Sequence, residues 1–386
     1  MKKLYRRYIT HIAVLVMAAA MMAVLAGCGD SSSSGSDAQA PEIDGLTYSS
    51  EMELKYAEQF NVFYYEDGYA VVDIKADGRY LIVPEGKSVP DGLDESITVL
   101  TGPVENIYDA ATASVALFDA MDAMDSIKMV SVDREGWTFD SIKAALDSGK
   151  VIYAGKYNAP DYETLMNEDC KLAVESTMIL HSPEVKEMLE SLDIPVLIDY
   201  SSYESNPMGR TEWIKLYGVL TGHEEEAESF FNKQLEAIEA IEDVEATGKS
   251  VAYFYISTDG KAVVRSSTDY IPAMIKMAGG EYVFTDLTDE SGASSIDMSI
   301  EQFYKTAKDA DIIIYNGSID SSVASLEDLK AKNEIMSKFR AVKNGNCWCT
   351  GSAVYQRTDL AADMIMDIGK IIADEEPENG FITKLK

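Results

Sequence analysis

The sequence predicts an α/β protein of two Rossmann-like lobes, each built on a mainly parallel sheet and joined by a single long helix. Three observations carry that expectation. From about residue 97 onward, short apolar strands alternate with helical segments, which implies parallel sheets covered on both faces. One segment, Glu224 to Val244, is long for a helix inside a lobe, and its apolar positions (Ala227, Phe230, Phe231, Leu235, Ile238, Ile241) recur at three- and four-residue steps. A second alternating series begins after it.

Before the first series, Tyr69–Ile74 and Tyr80–Val83 flank Ala76-Asp77-Gly78, a hairpin pattern expected to form a small β-decoration at the entrance to the first lobe. Ile97–Leu100 then reads as a strand stopped by Gly102-Pro103, Glu105–Met124 as a helix, and Ile127–Ser131 as a strand. Phe139–Asp147 is helical, Val151–Ala154 is a strand ended by Gly155, and Pro160 opens a helix to about Met166, since proline is tolerated in a first turn. Leu172–Glu175 and Val196–Ile198 read as strands on either side of a helix, Pro183–Leu192. Met208–Leu220 precedes the long helix, with the break at Thr221-Gly222. The second series runs strand Val251–Ile256, helices Tyr270–Met277 and Ser299–Ala307, strands Ile312–Tyr315 and Cys347–Cys349, and a closing helix Leu360–Ala373. No internal repeat is visible by direct sequence match.

The first residues carry a different message. Lys2, Lys3, Arg6 and Arg7 precede an almost wholly apolar run, Ile12–Leu25, too short for a permanent membrane span. Leu25-Ala26-Gly27-Cys28 follows and resembles the bacterial lipobox, which implies lipid transfer to the Cys28 thiol and cleavage before it. Such chains tether a protein in proportion to the methylenes they bury. The Ser- and Gly-rich stretch after Cys28 has too little apolar surface to order itself and reads as a leash. The expected division is therefore a signal at 1–27, a leash at 28–42, an amino-terminal lobe at 43–222, a linking helix at 223–246 and a carboxy-terminal lobe at 247–386. The location expected is extracytoplasmic, lipid-anchored to the cell membrane.

The chain has 386 residues with 66 acidic against 33 basic side chains, a formal charge of −33. Phosphate backbones require a basic footprint, so nucleic acid is not an expected partner. Besides Cys28 there are Cys170, Cys347 and Cys349. The last two flank Trp348 on one strand, a spacing that rarely closes a relaxed disulfide, so all three read as small apolar fillers. Catalytic patterns are missing. His223-Glu224-Glu225-Glu226-Ala227 lacks the second histidine of a zincin helix, Asp243 stands where a P-loop ending in Gly248-Lys249-Ser250 needs glycine, and no Gly-x-Ser-x-Gly elbow occurs. No enzyme, cofactor or metal site is expected. Only His181 and His223 lie beyond the signal, which argues against a free zinc or manganese ion as ligand.

Several segments in common order resemble one family. They are Ala159-Pro160-Asp161-Tyr162-Glu163-Thr164-Leu165 with Cys170–Glu175, Ser182-Pro183-Glu184 through Ile194-Pro195-Val196, Pro207-Met208-Gly209-Arg210 with Trp213–Gly222, Ala278-Gly279-Gly280-Glu281-Tyr282-Val283-Phe284, Ser299-Ile300-Glu301-Gln302 and Ala341-Val342-Lys343-Asn344-Gly345. Together they resemble the class III periplasmic binding proteins of ABC importers, the iron-siderophore, haem and cobalamin group. The resemblance implies a monomeric receptor with a cleft between two rigid lobes, a small-molecule chelate as ligand, and the membrane subunits of an ABC transporter as partner. It also implies one docking glutamate on each lobe, at Glu163 and Glu281. The alternative on the same fold is a metal-ion-binding or ligand-sensing lipoprotein not coupled to import. The segment Val99–Ile107 departs from the family's usual opening pattern, and so leaves the ligand residues to be found locally.

Ligands of open α/β sheets sit beyond the carboxyl ends of the strands. On loops expected there, Tyr157, Tyr203 and Tyr355 offer stacking faces, Lys156, Arg210, Arg265 and Arg357 offer positive charge, and His181 offers an imidazole. Met178 reads as packing.

Overall fold

A computed structural model describes residues 39–242, 247–289 and 293–386. The signal, Cys28, most of the leash and the end of the linking segment lie outside those residues. Three sheets organise the rest. The first is an outer sheet of β1 (Tyr48–Glu51), β2 (Phe60–Tyr65), β3 (Ala70–Ile74), β4 (Gly78–Pro84) and β5 (Ile97–Gly102), in that order. Its strands alternate apolar residues to both faces. Phe60, Val62, Val72, Ile74, Tyr80 and Ile82 join the main core, while Phe63, Tyr65, Val71, Leu81 and Val83 form a second small core with Ile43. The expected hairpin is thus the centre of a larger sheet.

The second sheet carries the amino-terminal lobe. Its strands are β6 (Ile107–Asp109), β7 (Ile127–Val130), β8 (Ile152–Tyr153), β11 (Leu172–Ser176) and β12 (Val196–Asp199); the two-residue strands β9 (Gly155–Lys156) and β10 (Ala159–Pro160) form a separate hairpin. The order is β12-β11-β6-β7-β8 and every neighbour is parallel. Connections run through α1 (Thr112–Ala120), α2 (Asp140–Ser148), α3 (Tyr162–Asn167) and α4 (Pro183–Ser191). The chain leaves β6 in one direction and returns to its other side at β11, so the switch point of the sheet lies between those two strands.

Three expectations change here. Ile97–Leu100 is not the first strand of the lobe; it pairs in parallel with β4 of the outer sheet, and β6 opens the lobe instead. The helix expected over Glu105–Met124 is confined to α1, because Ile107, Tyr108 and Asp109 are wholly buried between β7 and β11. Pro160 likewise pairs in the β9–β10 hairpin, and α3 starts after Asp161, whose side chain caps it by accepting the Thr164 N–H.

Next come α5 (Pro207–Thr221) and α6 (Glu224–Glu242). All fifteen residues of α5 are buried, and it packs against α1, α6 and the carboxy-terminal lobe. At Gly218 a Cβ would stand 2.9 Å from the Ala227 Cβ and 3.1 Å from the His223 carbonyl oxygen, so glycine sets the close approach of α5 to α6.

The third sheet belongs to the carboxy-terminal lobe: β13 (Ser250–Ile256), β14 (Ala262–Arg265), β15 (Glu281–Tyr282), β16 (Ser295–Met298), β17 (Ile312–Tyr315), β18 (Cys347–Thr350) and β19 (Ile382–Lys384). β13, β17 and β18 are parallel, β15 adds in parallel to β13, β14 runs antiparallel between β13 and β16, and β16 and β19 are the antiparallel edges. Around it lie α7 (Tyr270–Met277), α8 (Ile300–Ala307), α9 (Leu326–Lys332), α10 (Arg340–Asn344), α11 (Ala353–Gln356) and α12 (Ala361–Ile372). The core there is aromatic, with the Phe254 and Phe303 rings 4.3 Å apart and Phe284 stacked on Phe303. Cys170, Cys347 and Cys349 are free and buried, and burial pushes the Cys347 thiol up to about 12. Among the described residues no helix is long and apolar enough to cross a membrane.

Candidate functional site

The two lobes meet where loops at the carboxyl ends of their parallel strands face each other. Gln356 brackets the junction from the carboxy-terminal side. Its Oε1 accepts the Thr138 N–H at 2.9 Å and the Thr138 hydroxyl at 2.7 Å, and its Nε2 donates to the Gly136 carbonyl at 2.8 Å. Beside it the Arg357 guanidinium lies 5.2 Å from the centre of the Phe139 ring, and the Thr211 hydroxyl donates to the Thr358 carbonyl at 2.9 Å.

Deeper in the junction is a group of buried polar side chains. Arg210, from the first turn of α5, stacks over the Tyr270 ring at 4.0 Å from its centre. Tyr270 begins α7, where Asp269 caps the helix by accepting the Ile271 N–H at 2.9 Å. The other oxygen of Asp269 stands 3.6 Å from Arg265 Nη1. Arg265, the last residue of β14, also donates to the Ser295 hydroxyl at 3.0 Å and to the Tyr355 hydroxyl, which accepts a second hydrogen bond from Asn316 Nδ2 at 2.7 Å. Burial pushes the Tyr270 hydroxyl up to about 12, so it is a neutral donor. Burial also raises the Asp269 carboxyl, with Arg265 opposing.

Eight buried side-chain oxygen and nitrogen atoms lack a hydrogen-bond partner among the described residues, and five of them lie in this group: Arg210 Nε, Tyr253 Oη, Asp269 Oδ2, Tyr270 Oη and Asn316 Oδ1. Leaving such an atom unmade costs about 1–3 kcal/mol, so their concentration at one junction marks a place suited to a polar ligand.

The residues singled out from sequence divide into two sets. Arg210, Arg265 and Tyr355 are in this group, with Tyr270 between the first two. Arg357 adjoins it, but Asp359 already holds it in a two-pronged ion pair at 2.6–3.2 Å. Lys156 and His181 are exposed, Tyr157 is half-buried, and none of the three bonds to the group among the described residues. Tyr203 is exposed and sits edge-on to Tyr200 at 5.6 Å; the Tyr200 hydroxyl donates to the Ala76 carbonyl in the turn of the outer sheet. Tyr253, Asp269, Tyr270 and Asn316 complete the group; Asp269, Tyr270 and Asn316 stand on loops expected at the strand ends, and Tyr253 lies inside β13. Glu163 and Glu281 are both exposed, on α3 and at the start of β15. Met178, read as packing, is half-exposed.

On the amino-terminal side the switch point presents carboxyl groups. Asp109 ends β6 and accepts the Ser114 hydroxyl and the Ala111 N–H; Asp199 ends β12 and accepts the Tyr217 hydroxyl at 2.7 Å. Glu175, near the end of β11, is wholly buried with neither oxygen partnered, and burial, helped by the Asp109 carboxylate, pushes it up to about 9. A groove of about 790 Å³, lined by Asp119, Lys128, Ser141 and Lys150 among others, opens beside the starts of β7 and β8, at the opposite end of the strands from this junction. Among the described residues no group of three or more His, Cys, Asp and Glu side chains is arranged to hold a metal ion.

A sequence profile of the family described as Periplasmic binding protein matches residues 111–353, more than half of the chain. The match begins after the outer sheet. A lipoprotein of Methanocaldococcus jannaschii described as uncharacterized is 26% identical over 352 residues, covering 83% of this chain and 82% of its own. Among solved structures, a periplasmic binding protein from Veillonella parvula superposes with a TM-score of 0.58 at 17% identity, covering 71% of this chain and 93% of that one. The periplasmic heme binding protein HutB of Vibrio cholerae gives a TM-score of 0.55 at 17% identity, over 68% of this chain and 98% of that one.

Proposed function

The chain belongs to the periplasmic binding protein family, and from that premise we propose that it is the solute-binding lipoprotein of an ABC importer. Its task is to bind and deliver, not to catalyse. The ligand class is a bulky chelate, an iron complex such as a ferric siderophore or haem, or a cobalamin-like compound, held between the lobes. The observation that carries this reading is the cluster of unpartnered buried polar atoms where Arg210 of the amino-terminal lobe meets Tyr253, Asp269, Tyr270 and Asn316 of the carboxy-terminal lobe. In a binding protein such atoms find their partners on the ligand.

The lipobox-like segment ending at Cys28 supports a lipid anchor and an extracytoplasmic location, as does the description of the Methanocaldococcus relative as a lipoprotein. Glu163 and Glu281, exposed on elements of different lobes, suit docking to cationic side chains of the transporter's membrane subunits. Two such carboxylates set orientation and encounter rate more than affinity. Native mass spectrometry of the protein with ferric chelates, haem and corrinoids tests the reading. A one-to-one complex of micromolar or tighter affinity with one of them is expected; no retained compound across the panel overturns the chelate assignment.

A further inference from the structure

The polar group at the junction is unbalanced in a way that selects the charge of its ligand. It contains two guanidinium groups, Arg210 and Arg265, against one carboxyl, Asp269. Arg357 adds nothing to the balance because Asp359 neutralises it at 2.6 Å. The unpartnered atoms lean the same way: Arg210 Nε, Tyr253 Oη and Tyr270 Oη carry protons to donate, while only Asp269 Oδ2 and Asn316 Oδ1 accept. Tyr355 already accepts from both Arg265 and Asn316, so its hydroxyl oxygen adds no free acceptor. All this lies within a chain of charge −33, whose long-range field repels anions. A donor-rich, positively charged spot inside an acidic protein is therefore a local feature.

We propose that this spot is the seat of an anionic oxygen group on the ligand, a carboxylate or comparable oxyanion at the periphery of a chelate, held between Arg210 of the amino-terminal lobe and Arg265 of the carboxy-terminal lobe. The inference rests on the receptor reading above and narrows its ligand class to chelates that carry exposed negative oxygens. An anion there receives charge-assisted hydrogen bonds from both lobes, so the same contact that selects the ligand also bridges the junction. A neutral chelate of equal size leaves the Arg210 Nε and Tyr270 donors buried and unpaired.

The test compares matched probes by calorimetric titration: haem with its dimethyl ester, and ferric citrate with a neutral ferric trishydroxamate. The intact protein is expected to prefer at least one carboxylated member over its neutral counterpart by about tenfold or more. Arg265→Gln and Arg210→Gln should bring that preference close to unity, while Arg265→Lys keeps part of it. Tyr270→Phe, which removes only an unpartnered hydroxyl, should reduce the preference without lowering the unfolding temperature, and so covers the case in which an arginine variant does not fold. Neutral and carboxylated members binding equally, with the variants leaving their ratio unchanged, overturns the anion seat and leaves the receptor reading standing. No binding by any of the four probes or by corrinoids removes both.

Discussion

The carboxylate of Glu212, midway along the buried helix α5, accepts the backbone N–H of Tyr56 at 2.7 Å, although 156 residues separate the two. The same carboxylate accepts the N–H groups of Lys55 and Ala57, and Lys215 lies 3.3 Å away. Just ahead of α5, Glu204 does likewise for Glu58 and Gln59. Two carboxylates thus hold the connection between β1 and β2 of the outer sheet, which the family match leaves out. Glu212→Ala leaves three buried or half-buried amides unpaired, and hydrogen bonds to charged groups contribute about 1.5–3 kcal/mol each. The expected outcome is a loss of at least about 2 kcal/mol in urea unfolding, together with faster amide exchange at residues 55–57. Unchanged unfolding and exchange would contradict the role given to this contact.

Glu175 makes stability depend on pH. Its carboxyl is raised from 4.5 to about 9 in the folded chain, so the folded state keeps a proton that the unfolded state gives up. Below the ordinary glutamate range both states are protonated and the folded state suffers no penalty. As pH rises from there toward the folded value, the folded state loses up to about 1.4 kcal/mol per pH unit from this group. Glu175→Gln and Glu175→Leu should therefore be more stable than the parent at pH 8, with the gap narrowing at pH 5. Unfolding midpoints at the two pH values give the answer, and parallel pH profiles for parent and variants would count against it.

The Gln356 bracket joins the lobes through three hydrogen bonds to Thr138 and Gly136. Gln356→Ala should loosen that contact, seen as faster amide exchange at Thr138 with the cores of both sheets unaffected. Exchange at Thr138 equal to that of the parent would show that the bracket contributes nothing to the closed junction.

For transport, Glu163→Ala combined with Glu281→Ala is expected to abolish uptake while leaving chelate affinity unchanged, because both side chains are exposed on the outer faces of their elements. Normal uptake by the double variant removes the docking assignment.

Much of the fold was legible because buried parallel strands are continuous apolar runs. Leu172–Ser176, Val196–Asp199, Ser250–Ile256 and Ile312–Tyr315 all stand close to where their sequences suggest. What such a run does not tell is which sheet it joins. Ile97–Gly102 looks like any lobe strand, yet its partner is β4. Tyr48–Glu51 is fully exposed and has no apolar face to announce it, Ala262–Arg265 is a short strand set between β13 and β16, and Ser295–Met298 is a short edge that pairs with β14. The candidate site was half legible. Arg210, Arg265 and Tyr355 stand out as polar residues on loops or at element ends. Tyr253 is hidden within an apolar strand, and Asp269 with Tyr270 reads as an ordinary helix cap. The signal that unites them is their missing hydrogen bonds, which only three-dimensional packing reveals.

In the proposed receptor one ligand contacts both lobes at once. Hydrogen-exchange mass spectrometry of the protein, with and without the chelate it retains, tests this most directly. Slowed exchange is expected in peptides from both sides of the junction, residues 136–139 and 207–211 on one lobe and 266–270 and 353–358 on the other. Protection confined to a single lobe, or to the groove beside the starts of β7 and β8, would contradict it.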